Sequence, residues 1–307
     1  MTGLTAFHLS SDVAADTGIH LGDGSLRIKS RGPHGYYQYE VTVHALEDQL
    51  YLIGNIMPTI SDAYGLQRSG YYINPEQTWI SLRYQSKAVA LFKRETLGLP
   101  IGRKHDLSIP IQILRDAKLM KPLARELLAT DGVLGFYTAE KGGGHKYPRI
   151  QIKMTARRVI DEVSAFLQNH LGITSRCRDQ TVDHTGWGRS LQRVLQISQH
   201  SDIDTWRKEI GFSNPSHISR MMVYEALGEC PPRTSIDNRV AFLSGQSSKL
   251  SSLGPITRTD LVSVISRMKA EFGSPRATPS AILQKIDEIN DRLSSNLGRK
   301  LPVLAQS

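Results

Sequence analysis

The sequence predicts an α+β fold. Two pseudo-symmetric αββαββα repeats with antiparallel sheets are followed by a C-terminal helical extension. Three observations predict it. Landmarks recur at a nearly constant offset along the chain, several short runs alternate apolar and polar residues, and a Ser/Gly-rich stretch sets the C-terminal part aside.

The repeat is read from paired segments. Residues 11–26, SDVAADTGIHLGDGSL, and residues 121–134, KPLARELLATDGVL, are both small-residue, apolar helix patterns that run into Asp-Gly and then a strand-like run. Their aspartates, Asp23 and Asp131, stand 108 residues apart. YYQYEVTV (36–43) is matched by YPRIQIKM (147–154), with Val41 and Ile150 separated by 109. The helix pattern LEDQLYLIGNIMPTISDAYGL is matched by TARRVIDEVSAFLQNHLGI, closing on Gly65 and Gly172 at an offset of 107. WISLRYQSKAVALFKRETLG is matched by RVLQISQHSDIDTWRKEIG, closing on Gly98 and Gly211 at 113.

The first repeat is therefore placed at 1–98, a linker at 99–117, and the second repeat with trailing helices at 118–245. One trailing helix is expected at 213–228, opened by SNP and closed by Gly228. Residues 246–307 are read as linker and helical extension, with helical spacing at 258–271 and at 278–296, where Ile282, Ile286, Ile289 and Leu293 recur.

Composition narrows the function. A net charge of +9 and a pI near 9.5 point to a polyanion partner. No apolar run approaches the ~18–20 residues that span a bilayer. The N-terminus lacks the basic-then-apolar order of a secretory leader. The expectation is an intracellular, cytoplasmic, nucleoid-associated monomer. Cys177 and Cys230 form no CxxC pair and are read as reduced thiols. There is no GxxxxGK[ST], no HExxH and no readable Ser–His–Asp order. Trp79, Trp187 and Trp206 are read as packing residues rather than base-stacking platforms.

The helix patterns carry the chemistry. Ala15, Gly18 and Gly22 share one helical stripe. Glycine costs about 1 kcal/mol in a helix interior, so two of them suggest close helix packing. Asp23 and Asp131 then end their helices, where the macrodipole disfavours negative charge and a nearby cation would remove the penalty. If the two helices pack about a pseudo-two-fold axis, the carboxylates meet. With the carbonyls of Gly22 and Thr130 they form an all-oxygen set suited to Mg²⁺ or Mn²⁺, which can assist phosphodiester hydrolysis. The competing reading makes each Asp-Gly a plain helix-end turn with a left-handed glycine.

Period-two strands present a polar face. Ser25, Arg27, Lys29 and Arg31 oppose Leu26 and Ile28; Gln38, Glu40, Thr42 and His44 oppose Tyr37, Tyr39, Val41 and Val43. Ser81, Arg83 and Gln85 oppose Ile80, Leu82 and Tyr84, and Arg149, Gln151 and Lys153 oppose Ile150, Ile152 and Met154. Such side chains bind phosphates and base edges. The DNA-contacting set is taken as Arg27, Lys29, Arg31, Gln38, Thr42, Arg83, Gln85, Lys141, Lys146, Arg149, Gln151, Lys153 and Gln196. Lys141 and Lys146 flank a glycine-rich hairpin tip, read as turn chemistry or a basic finger.

TGIHLGDGSL and ARELLATDGVL resemble the paired motifs of LAGLIDADG homing endonucleases, especially single-chain archaeal ones, and KEIGFSNPSH and HLGITSR resemble sequence that recurs there. The resemblance covers about residues 11–245. It implies saddle-shaped sheets that straddle the major groove, motif helices as the central interface, and site-specific double-strand cleavage with divalent metal at Asp23 and Asp131. It also implies auxiliary basic residues near the metals, for which Lys153 and Arg83 are taken. An intron RNA maturase and a catalytically inactive DNA-binding regulator use the same fold and stay open as alternatives. Three residues depart from the family: Leu21 and Ala129 replace its first acidic residue, and Glu126 stands where the second motif has a glycine.

Overall fold

The computed structural model describes residues 7–29, 35–44, 48–74, 79–102, 104, 107–139, 143–184, 188–247 and 250. Arg31, Lys141, Trp187 and the helical patterns expected at 258–271 and 278–296 lie outside the described residues.

In the first half, α1 (Ser11–Gly22) starts at Ser10, whose hydroxyl accepts from the Val13 amide. Strands β1 (Gly24–Lys29) and β2 (Tyr36–His44) follow. Helix α2 (49–64) contains a π-helical turn at Leu52–Ile56 and ends at Gly65, a left-handed cap with φ 64°. Then come β3 (Gly70–Asn74), β4 (Trp79–Gln85) and α3 (87–96), which has a π-helical turn at Phe92–Thr96.

A short helix α4 (Ile111–Leu114) leads to the second half. It comprises α5 (Ala117–Asp131), β5 (Gly132–Tyr137), β6 (Tyr147–Met154), α6 (Arg157–Leu171), β7 (Arg176–His184), β8 (Gly188–Ile197) and α7 (His200–Glu209). Helices α8 (Pro215–Leu227) and α9 (Ile236–Leu243) trail it. Helix α8 has Asn214 as its N-cap and a left-handed Gly228 at its end, as SNP and Gly228 predict.

Each half is therefore αββαββα, and the two antiparallel sheets have the matching orders β1-β2-β4-β3 and β5-β6-β8-β7. Three of the four sequence landmarks coincide with structure: Asp23 and Asp131 end equivalent helices, Gly65 and Gly172 cap equivalent helices, and Gly98 and Gly211 both take positive φ after α3 and α7. The fourth is corrected. Gly24 pairs with Val41 and Gly132 with Ile152, so the counterpart of Val41 is Ile152, not Ile150. The hairpin of the second half is longer. A slip of two residues keeps every side chain on its face, so the alternation survived the error.

Between the halves, the chain is packed rather than merely spanning. Leu107, Ile109 and Ile113 are buried, the Ile109 amide donates to Glu162 Oε2 at 2.7 Å, and Ile101 bridges Leu26.

Helices α1 and α5 meet at near backbone contact. A β-carbon on Gly18 would overlap the Leu123 carbonyl oxygen, and one on Gly22 would overlap the Thr130 side chain. Gly18 also makes room for Glu126: its β-carbon would lie 3.1 Å from that of Glu126. Glu126 is fully buried yet saturated. It accepts from Tyr51 Oη (2.7 Å) and Asn55 Nδ2 (2.9 Å) in the first half, and from Ser213 Oγ (2.8 Å) and Arg125 Nε (2.8 Å) in the second. The α2 π turn spans Asn55, one of these donors.

The halves differ in their interiors. Asp16 on α1 is fully buried, pairs with buried Lys93 of α3, and accepts from Tyr39 Oη (2.8 Å) and Tyr64 Oη (2.6 Å). Burial pulls the Lys93 ammonium down, against the pull of Asp16. By sheet register and helix ends, the counterparts of Asp16, Tyr39, Tyr64 and Lys93 are Ala124, Ile150, Leu171 and Trp206. The same architecture is thus built once around an ion pair and once around apolar packing.

Two outcomes follow. Gly18→Val should cost about 2–3 kcal/mol in denaturant unfolding, as overpacking against backbone does; a loss within error would mean the helices do not touch there. Asp16→Ala should cost about 3–5 kcal/mol by leaving Lys93 buried alone, and Lys93→Met added to it should restore much of that, since removing both charges is often near neutral. A double variant no better than Asp16→Ala would refute this account of the pair.

Candidate active site

Asp23 and Asp131 stand at the C-terminal ends of α1 and α5, and the close crossing brings those ends together. A β-carbon on Gly22 would sit 3.6 Å from the Asp131 carboxyl carbon. Neither following glycine takes the left-handed turn of the plain reading. Gly132 is extended (φ −115°, ψ 173°), and no positive φ occurs at Gly24. Both are needed for closeness instead: added β-carbons would come within 2.6 Å of the His20 Cα at Gly24 and within 2.6 Å of the Leu128 carbonyl oxygen at Gly132.

Both aspartates are half-buried, with part of each residue open to solvent while protein atoms crowd the carboxyl. Burial, with the charges of Asp131 and then Asp48, pushes the Asp23 carboxyl up to about 8. Burial raises Asp131 to about 6, opposed by Lys104.

Lys104 is the residue the sequence did not reveal. It comes from the segment between the repeats, and its Nζ donates to the carbonyls ending α1: His20 at 2.7 Å, Leu21 at 3.3 Å, and Gly22 in a short contact. Burial brings its ammonium down to about 8, with Asp131 and Asp23 holding it up. A lone lysine amid ordinary linker sequence carries no signal of this role. The equivalent end of α5 is capped by an amide: Asn214 Nδ2 donates to the Ala129 carbonyl at 3.1 Å and to Asp48 Oδ1 at 2.9 Å. Asn214 lies in the quoted KEIGFSNPSH stretch, where it is readable as a helix N-cap but not as a cap for a second helix.

His20 is fully buried one turn before Asp23, stacked on Tyr39 at 5.5 Å, with neither ring nitrogen hydrogen-bonded. Burial, then Lys93 and Lys104, holds its pKa well below the ordinary value, so the ring is neutral.

The other expected site residues divide by place. Lys153 follows Ile152, the partner of Gly132, and pairs with Val194 on β8; Thr42 follows Val41, the partner of Gly24, and its amide donates to the Asp23 carbonyl at 3.1 Å. Arg83 sits further along the first sheet, 3.6 Å from Glu40 and over the Tyr72 ring. The Thr130 hydroxyl donates back into its own helix, to the carbonyls of Glu126 (3.0 Å) and Leu127 (3.2 Å).

On the sheet faces, Arg27 and Lys29 are exposed, and Gln38 joins Arg27 on Glu40 at 2.8 Å. Gln85 pairs across from Gln38. Gln151 donates to Gln196 at 2.8 Å, and Gln196 donates to Ser198 at 2.9 Å. Arg149 lies 4.0 Å above the Tyr137 ring. Lys146 is exposed or nearly so at the base of the β5–β6 hairpin. Glu40 and Ser81 share the polar face of the first sheet but are buried, so this face is not wet throughout. Trp206 is a core residue bonded to the Gly211 carbonyl, and Cys177 and Cys230 are both free thiols.

Among the described residues no group of three or more His, Cys, Asp or Glu is arranged to hold a metal, and no helix is long and apolar enough to cross a membrane. The donor set at the helix ends nevertheless fits a hard divalent ion. Two carboxylates on rigid helix ends face partly open space, with more negative charge around them than one ammonium neutralises. Gly22's carbonyl is engaged by Lys104.

No protein-family model and no curated protein matches the chain. Solved structures do. The homing endonuclease I-DmoI in complex with DNA and Mn aligns with TM-score 0.45 and 19% identity, over 66% of this chain and 96% of that one. The N-terminal LAGLIDADG domain of DUF199/WhiA aligns at 0.41 and 12%, over 68% and 87%. The homing endonuclease I-WcaI bound to its DNA recognition sequence aligns at 0.39 and 13%, over 66% and 81%.

The raised carboxyls give a signed pH dependence. A folded pKa above the ordinary 3.8 favours the fold most below that value, and the benefit drains away as pH rises through about 6 for Asp131 and about 8 for Asp23. The variant Asp23→Asn/Asp131→Asn should therefore gain in Tm over the metal-free wild type increasingly from pH 5 to pH 8.5. A gain that does not change with pH would show that the two carboxyls are not strained.

Proposed function

We propose that this chain is a LAGLIDADG-type endonuclease that makes site-specific double-strand cuts in DNA, working as a monomer on nucleoid DNA in the cytoplasm. The observation that carries the reading is the meeting of two helix-borne aspartates at one backbone crossing, each crowded enough to favour a bound cation. Asp23 and Asp131 would hold Mg²⁺ or Mn²⁺, which when bound supplies Lewis-acid charge to the leaving oxygen of a phosphodiester. The rest is done by the chain itself. The Gly18 and Gly22 contacts fix the spacing of the two acids, so one acid serves each strand. Arg27, Lys29, Gln38, Gln85, Arg149 and Gln196 bind backbone and base edges on the two sheets, while buried Gln151 orients Gln196. Lys153, one residue beyond the partner of Gly132 on β6, would meet the phosphate of one strand; Arg83, further along the first sheet, would act on the duplex rather than at the reacting atoms.

The net charge of +9 supports a polyanion ligand in either case. A second reading, a DNA-binding regulator without cleavage, is favoured by one observation: Lys104 already neutralises part of the site.

A cleavage assay on genomic DNA with Mg²⁺, read by mapping double-strand ends, decides between them. Asp23→Asn or Asp131→Asn should lower double-strand cutting by at least about 100-fold while DNA affinity stays within a few-fold. Cutting by these variants at the wild-type rate, or no cutting by the wild type despite sequence-specific binding, would remove the nuclease reading.

A further inference from the structure

The geometry points to Lys104 as a resident cation that holds the two-aspartate site together without metal and must withdraw for a divalent ion to load at the α1 end. This rests on the metal reading of Asp23 and Asp131 given above.

The placement is specific. The Lys104 ammonium gathers all three carbonyls that end α1, those of His20, Leu21 and Gly22, and lies within electrostatic reach of both aspartates. It therefore does what a divalent ion would do there: it offsets the helix-dipole end and the two carboxylates. Three hydrogen bonds use all the donors an ammonium has, so the site is matched rather than grazed. Once both carboxyls are ionised, one positive charge leaves net negative charge, which attracts a divalent ion. That ion and the ammonium cannot both occupy the Gly22 carbonyl, because like charges at contact distance repel.

At the other helix end the described contact is neutral. The Ala129 carbonyl, equivalent to that of Leu21, is met by the neutral amide of Asn214. An amide can turn without a change in charge, so an ion near Asp131 loads against less opposition. The two ends of the pseudo-symmetric site are thus chemically unequal: a lysine from the chain between the repeats guards one, and an asparagine from the N-cap of α8 guards the other.

The experiment is Mn²⁺ titration of the full chain by calorimetry, with no DNA, for wild type, Lys104→Met and Lys104→Arg, alongside Tm with and without Mn²⁺. Lys104→Met should bind Mn²⁺ about tenfold more tightly or better, have a lower metal-free Tm, and gain more Tm from Mn²⁺ than the wild type. Lys104→Arg keeps the cation and should bind close to the wild-type affinity, which a purely structural role would not produce. Equal or weaker Mn²⁺ affinity in Lys104→Met overturns the inference, including the case where neither protein binds. Adding Asp23→Asn/Asp131→Asn to Lys104→Met separates the two readings. Tight binding that survives their loss puts the metal elsewhere and ends the reading of the aspartate site itself. Binding that needs the aspartates but ignores Lys104 ends only the present inference.

Discussion

The structure depends on one steric fact, the near contact of two helix backbones where Gly18 and Gly22 of α1 face Leu123, Glu126 and Thr130 of α5. Helices with ordinary side chains at the crossing sit 8–10 Å apart. Without β-carbons at these two positions they come closer, and their C-terminal ends converge. Two aspartates and the carbonyl ends of α1 and α5 then share a small space. Everything electrostatic at the site follows from that convergence: the raised carboxyls, the lysine drawn in from the chain between the repeats, and the asparagine drawn in from α8. The two glycines after the aspartates serve the same end, since β-carbons there would strike the helices just left behind.

Pseudo-symmetry governs the backbone but not the chemistry laid over it. The first half hides an ion pair and two tyrosine hydroxyls where the second hides Ala124, Ile150, Leu171 and Trp206. Burying two charges gives little net stability over well-packed apolar residues, so the second half shows that the fold itself does not require them. What the charges do provide is a unique geometry: Asp16 can satisfy its bonds only with α1, β2, α2 and α3 in one arrangement. Glu126 does the corresponding work across the seam, drawing donors from both halves. Glu126 is therefore a tie between the repeats, made possible by the space Gly18 leaves.

The sequence by itself determined the repeat, the strand faces and the place of the two aspartates at the ends of matched helices. Each of these is a local pattern: a left-handed glycine ends a helix wherever it stands, and period-two alternation assigns faces even when register is misjudged by two residues, as at Ile150 and Ile152. The small-residue stripe likewise announced a close crossing. Tertiary structure alone decided what surrounds the acids. Lys104 and Asn214 reach the helix ends from more than 80 residues away in sequence, and no spacing rule links them to their targets. Arg83 landed beside Glu40, because side-chain partners on a sheet face are set by cross-strand neighbours. Local periodicity fixes which way a residue points; only the packing of distant segments fixes which charge it meets.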